Sequence, residues 1–317
     1  MGSGQTSTQT GETFFDTIPQ QGAGSDTGRI MAAGRGFGTG RNVSPGLISV
    51  IVTTYQRADA LDAVLRSLSR QVDREFEIVI ADDGSGAETK AVVDRWRSQT
   101  DIALHHMWHP DRGFRAALIR NRAILKSSGD YCIFLDGDCI VRDRFVAMHR
   151  RLAEPGWYVT GNRLLLSQQL TAKVLGEALE PEAWTFPQWV SARRGGGVNR
   201  LAPLIALPLA SLRKLRARCW RGARGCNIAV WRRDLARVDG FDAAYDGWGR
   251  EDSDLLVRLH HAGVRRKLGN FATGVIHLWH PEADRSRFNK NDRLLADVIA
   301  RGSIRARSGL SAVDAGT

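Results

Sequence analysis

The sequence predicts an α/β fold with a mostly parallel central sheet flanked by helices, and three observations predict it. Short β-branched runs alternate with stretches of helical periodicity. The order strand, helix, strand is that of a βαβ unit. Three runs end in polar clusters, at Thr53-Thr54-Tyr55, Asp82-Asp83 and Asp136-Gly137-Asp138. Ligands of open α/β sheets bind outside the carboxyl ends of the strands, so three polar clusters on one edge predict a site.

Taken in order, residues 1–46 are rich in Gly, Ser, Thr and Gln, a composition that cannot offset the entropy of ordering, and predict a disordered tail. Gly34 to Gly40 has the look of a nucleotide loop but precedes the first strand instead of following one, which argues against a phosphate role. Leu47 to Tyr55, bounded by Pro45-Gly46, reads as the first, central strand. Leu61, Val64, Leu65 and Leu68 recur at helical spacing, and Phe76 to Ala81 reads as the second strand. Val92, Val93 and Trp96 mark another helix, Ile102 to Trp108 a strand, Ala116 to Ser127 a helix, and Tyr131 onward a buried strand. A further strand is expected near Trp157 to Thr160.

Beyond this the pattern loosens. Residues 163–222 read as an insertion whose apolar run, Leu201 to Leu212, is followed by Arg213, Lys214, Arg216, Arg218, Arg221 and Arg224. That run is too short to span a bilayer, and its basic flank suits anionic headgroups or a solvated edge equally well. Leu255, Leu256, Leu259 and His260 continue a helix that places Glu251 and Asp252 near its N-terminus, where the dipole favours ionised carboxylates. The resulting organisation is a tail (1–46), a domain over 47–290 split into 47–162, 163–222 and 223–290, and a C-terminal helix and tail (291–317).

At 317 residues and 43% hydrophobic, the chain can bury a substantial core. Its net charge of +11 predicts attraction to polyanions without choosing among nucleic acid, lipid and phosphorylated substrates. Basic and aromatic residues are not interleaved and the densest motifs are acidic, so nucleic acid is not the expected partner. The four cysteines lack CxxC pairing, which predicts reduced thiols and a cytoplasmic setting. No apolar run reaches the length of a membrane span and no secretory signal opens the chain.

The stretch Tyr131-Cys-Ile-Phe-Leu-Asp-Gly-Asp138 is an apolar run broken by two carboxylates around one glycine. If strand geometry persists to Asp138, Asp136 and Asp138 project to the same side and can face one hard cation; an ordinary acidic turn has the same pattern.

With Ser49 to Tyr55, Asp82-Asp-Gly-Ser85 and Asp136-Gly-Asp138, the N-terminal half resembles the nucleotide-sugar module of GT-A fold glycosyltransferases of family 2. Gly240-Phe-Asp242 and Gly247-Trp-Gly-Arg-Glu-Asp252 are similar to the galactosyltransferase-type acceptor region also found in bacterial chondroitin-type polymerases. The resemblance covers roughly 47–162 and 222–285. It implies the GT-A (nucleotide-diphospho-sugar transferase) fold, with Thr53, Tyr55 and Asp82 or Asp83 at uracil and ribose and Arg57 beside them. Within the donor-binding segment Asp111 to Asn121, which also holds Arg112, it points to Arg115 and Arg120 as guanidinium ligands of the diphosphate. Asp138 becomes a metal ligand, and Asp136 a ribose or metal contact. His280 is favoured over His277 as a further ligand, since the resembled enzymes carry methionine at the earlier position. Oxygen and imidazole donors suit Mn²⁺, or Mg²⁺.

The reaction implied is inverting transfer of a hexose or N-acetylhexosamine from a UDP-sugar to a saccharide or glycolipid acceptor. Asp252 serves as base, Glu251 orients the acceptor, and Trp248 offers a sugar platform or core packing. A GDP- or dTDP-sugar is the alternative donor. The setting implied is surface-polysaccharide or lipopolysaccharide assembly, in the cytoplasm or peripherally on the inner face of its membrane.

Overall fold

The computed structural model describes residues 44–223, 225–282 and 284–314, so the glycine stretch 34–40 and nearly all of the expected tail lie outside the described residues. Strand and helix alternate as the periodicity predicts: β1 (Ile48–Thr54), α1 (Ala58–Ser69), β2 (Phe76–Asp82), α2 (Ala87–Gln99), β3 (Leu104–Trp108), α3 (Ala116–Lys126) and β4 (Tyr131–Asp136). The chain then forms β5 (Cys139–Val141), α4 (Phe145–Leu152), β6 (Trp157–Thr160), β7 (Arg163–Leu165), α5 (Gln168–Gly176) and α6 (Phe186–Arg194). After short 3₁₀ turns come β8 (Asn227–Trp231), α7 (Arg232–Val238), α8 (Glu251–His261), β9 (Arg265–Leu268), β10 (Val275–His277), α9 (Phe288–Arg301) and α10 (Leu310–Asp314).

The main sheet has seven strands in the order β3-β2-β1-β4-β8-β6-β9, all parallel except β8. Both faces are covered, which is why its strands read as continuous apolar runs instead of alternating ones. Val50 and Val52 of β1 face a core that includes Leu61, Leu65 and Val93 of α1 and α2. Ile51 between them faces the opposite core, with Ile119 of α3 and Leu255 of α8. Register is the feature that matters for function: Thr54 lies level with Asp82, and Thr53 with Asp136. The three polar clusters therefore share one edge, as expected.

Helix α8 is fixed from below by a fully buried pair. Arg258 reaches Asp254 at 2.8 Å and donates to the carbonyls of Val238 (2.6 Å) and Gly240 (2.8 Å), so neither charge is stranded in the core.

Two expected boundaries need correction. Residues 163–222 are no separate insertion, because β7 pairs with β10, which also pairs with β5, in a three-stranded sheet. The division at 290 falls inside α9, and Leu295, Val298 and Leu310 are buried, so the C-terminal stretch belongs to the domain. Inside the basic run, Arg213 turns inward and donates to the carbonyls of Leu207, Leu268 and Asn270, which pins the apolar run Leu201 to Leu212 to the loop after β9. Among the described residues no helix is long and apolar enough to cross a membrane.

Candidate active site

At the carboxyl edge, the side chain of Arg120 ties four segments together. Its Nε donates to the Thr53 hydroxyl at 3.0 Å, while its terminal nitrogens lie 3.1 Å from Asp252, 3.4 Å from Glu251 and 3.4 Å from Asp136. The guanidinium is buried and shares one positive charge among three carboxylates. The sequence places Arg120 at the diphosphate; the structure instead commits its fork to protein carboxylates.

One cation cannot neutralise three anions, so the last carboxylate to ionise does so reluctantly. Burial, the adjacent Glu251 and the more distant Asp136 outweigh Arg120 and raise Asp252 to about 7. Burial also raises Asp136 against the pull of Arg120. Asp252 remains a quarter exposed, and so can meet a substrate. Its place is fixed by Gly225, whose amide hydrogen-bonds it and where any Cβ would fall 1.7 Å from its Oδ2. Glu251 is almost fully buried, and its Oε2 has no hydrogen-bond partner.

Strand β4 stops at Asp136 instead of continuing to Asp138. Gly137 makes the turn because a Cβ there would press against Thr53 and Thr54 at 3.0 Å. The two aspartates consequently do not share a strand face as expected. Asp136 meets Arg120, whereas Asp138 lies 3.6 Å from His277 Nε2 and 3.5 Å from His280 Nε2. The structure brings both candidate histidines, His277 and His280, to Asp138.

Each imidazole is oriented from behind. Nδ1 of His277 is 2.7 Å from the Leu278 carbonyl and Nδ1 of His280 is 2.6 Å from that of Pro281. A carbonyl only accepts, so each Nδ1 carries the proton, and burial keeps His277 from taking up a second one. The Nε2 lone pair of His277 thus faces a carboxylate, acceptor against acceptor, at 3.6 Å, too long for a hydrogen bond. A cation between them resolves that opposition, so these residues fit a divalent metal. The Cys139 thiol lies within 4.8 Å of the ligand atoms of Asp138 and His277, although burial raises its pKa well above normal, which keeps it a poor ligand for a hard ion.

At the end of β2, the sequence candidates Asp82 and Asp83 are turned inward. Asp82 accepts from the Ser85 amide (2.8 Å) and meets His106 (3.0 Å), while Asp83 meets His109 (2.6 Å) and accepts from the Arg115 amide (2.7 Å). Both carboxylates hold the ends of β2 and β3 together, in place of the open base contact expected of them. Arg115 caps α3 and its side chain bonds the Pro110 carbonyl, so it too is not free for diphosphate in this arrangement. Tyr55 keeps a half-exposed ring, steadied by a 2.9 Å bond to Asp111, and Arg57 pairs with Asp59. Trp248 stacks on Phe288 with Arg285 5.3 Å from its centre, leaving it about a third exposed; packing explains much of it.

The model of glycosyl transferase family 2 matches residues 49–194, and that of the N-terminal domain of galactosyltransferase matches residues 211–281. Over 49–194 the chain is similar to glycosyl transferase family 2. Its GT-A fold is shared with S. aureus TarS 1–349, solved in complex with UDP, at a TM-score of 0.54 and 16% identity over 84% of this chain and 68% of that one. The chain is 29% identical to a validoxylamine A glucosyltransferase of Streptomyces hygroscopicus subsp. jinggangensis over 72% of its own length and 55% of the relative's. It is 25% identical to a chondroitin synthase of Pasteurella multocida over 68% of its length and 23% of that protein. The chain thus spans about half of the first relative and under a quarter of the second.

Several site residues do not emerge from motif and periodicity alone. His106 and His109 carry a visible signal in the run His105-His-Met-Trp-His109, though nothing in it names their carboxylate partners. Gly225 gives none, since its role is to be absent as a side chain.

Replacing Arg120 with Gln leaves three carboxylates facing one another without a cation. The expected cost is about 3–5 kcal/mol of stability at pH 8. It shrinks toward pH 5, because Asp136 and Asp252 have raised folded-state pKa values and their protonation relieves the repulsion; urea midpoints at the two pH values read this out.

Proposed function

We propose that the protein transfers a hexose or N-acetylhexosamine from a UDP-sugar to a hydroxyl of a saccharide or glycolipid acceptor, with inversion, in building a surface polysaccharide or lipopolysaccharide. The observation carrying this reading is the pairing, on one sheet edge, of an aspartate raised to about 7 with an Asp138–His277–His280 cluster shaped for a cation. TarS, solved with UDP, and the chondroitin synthase, named for a polysaccharide, lend it support.

Asp252 takes the proton from the acceptor hydroxyl as that oxygen forms its bond to the anomeric carbon. The bond from that carbon to the diphosphate breaks on the opposite face, its electron pair leaving with the nucleotide, so a single displacement inverts the centre. A base with a pKa near the working pH suits this step. Arg120 keeps Asp252 in place, and Glu251, buried beside it, orients the acceptor through that network. Asp138, His277 and His280 would hold Mn²⁺ or Mg²⁺, which supplies positive charge against the departing diphosphate. Tyr55 offers its exposed ring to the base, as Thr53 and Arg57 border the same end.

The exposed Ile205, Leu207, Leu212 and Leu215, beside the exposed Arg216 and Arg218, give a surface suited to the anionic inner face of the cytoplasmic membrane.

A screen of UDP-, GDP- and dTDP-sugars should find slow donor hydrolysis that EDTA stops and Mn²⁺ restores; hydrolysis indifferent to EDTA rejects the metal, and none with any UDP-sugar rejects the donor. Asp252→Asn should lower transfer by roughly 10²–10⁴-fold with UDP binding unchanged. In the wild type, kcat/KM should rise with pH to a plateau above about 7 as Asp252 ionises; a flat profile between pH 5.5 and 8 argues against Asp252 as the base. Leu212→Ser with Leu215→Ser should halve, at least, co-sedimentation with phosphatidylglycerol vesicles, and equal pelleting removes the membrane contact.

A further inference from the structure

On the far side of β8 from the nucleotide strands, a cleft of about 370 Å³ is lined by Arg163, Arg200, Arg216, Arg221 and Arg266, with Asn162 and no carboxylate among its lining residues. Neutral carbonyls hold two of these arginines. Arg266 is buried, with its Nε on the Thr160 hydroxyl at 2.7 Å and a terminal nitrogen on the carbonyls of Cys219 (3.2 Å) and Arg221 (2.8 Å). Arg200 donates twice to the Arg163 carbonyl, at 3.1 and 2.8 Å. Among the described residues none of the five has a carboxylate at ion-pair distance. Burial and the charge on Arg216 push Arg266 down, as expected where like charges crowd together. Oriented guanidinium groups without counter-ions are what an anionic ligand needs.

Topology decides whose anion this is. Strands β6 and β9 run parallel to one another, and both are antiparallel to β8 as β4 is, so the cleft at their carboxyl ends opens on the same edge as the acidic turn. It stands two to three strands away, roughly 10–15 Å at the usual strand spacing. Arg163 links the two, since its charge acts on both Asp136 and His277. The nucleotide end, at β1 and β2, lies on the other side of β4. Donor and cleft therefore flank the reaction centre from opposite sides.

We propose that the five-arginine cleft seats an anionic group of the acceptor, a phosphate, a diphosphate or a sugar carboxylate, and so presents the acceptor hydroxyl to Asp252. This assignment rests on the glycosyl-transfer reading above. It also gives the basic run after Leu212 a purpose, because Arg216 and Arg221 from that run line the cleft.

The test is calorimetric titration of inorganic pyrophosphate and of glucuronate into the full chain and into an Arg216→Gln/Arg221→Gln variant, each with and without UDP, with donor hydrolysis followed in parallel. Both substituted residues are exposed, so the fold is retained. The wild type should bind one probe at least tenfold more tightly than the variant, with donor hydrolysis within twofold between them. Pyrophosphate binding ahead of glucuronate identifies a phosphorylated acceptor, and the reverse order an acidic sugar. Equal affinities in the two proteins, or no binding of either probe, overturn the proposal. Saturable binding of a single-stranded RNA oligomer that the same substitutions abolish also overturns it, in favour of a nucleic-acid surface. Anion binding as expected with no hydrolysis of any donor supports the cleft as an anion site while rejecting glycosyl transfer.

Discussion

Everything at the site depends on one buried guanidinium. Arg120 stands on α3, yet its partners come from β1, from the end of β4, and from the start of α8, more than 130 positions along the chain. Such a tie is strong in one direction only: it adds little over a well-packed apolar core, but losing the cation strands several buried charges. The two halves of the domain are thereby locked to one geometry at the place where that geometry matters. Burial, with Glu251 and Asp136 close by, lifts Asp252 to about 7 against the pull of Arg120. The contact that sets its position opposes the shift in its acidity without cancelling it.

The site separates two electrostatic roles that a short acidic motif suggests are one. Asp136 belongs to the Arg120 network, whereas Asp138, two residues on, belongs to the histidine cluster. Gly137 permits the separation, because the chain turns there too close to β1 for a side chain. The histidines are pre-set by the backbone carbonyls of the residues that follow them, Leu278 and Pro281, so their rings are oriented at low entropic cost.

Much of this is legible in the sequence. Strand runs such as Leu47 to Tyr55 and Phe76 to Ala81 carry their own signal in β-branching and length, and the order of the motifs points to the family and the shared edge. What stays hidden is pairing. Nothing in Arg120 itself says whether a guanidinium will face a ligand or three carboxylates, since that depends on residues brought from far downstream. Asp82 and Asp83 read as open ligands because the histidines that occupy them stand on and beyond another strand. The basic run likewise looks like one surface, yet Arg213 is buried on carbonyls while Arg216 and Arg221 turn to the cleft.

The reversal of β8 has a consequence of its own. In a wholly parallel sheet only segments that follow strands reach the ligand edge, but β8 presents its beginning there, with Asn227 level with Leu135. The segment leading into it, from the 3₁₀ turns through Gly225, therefore borders the site although it comes before the strand. It is tethered at one end by Arg213 and at the other by Gly225 under Asp252. Between those anchors β9 holds it again, through the Arg266 amide on the Ala217 carbonyl and the Arg266 guanidinium on those of Cys219 and Arg221. One reversed strand thus recruits to the ligand edge a stretch that has no strand of its own and takes its place from these contacts.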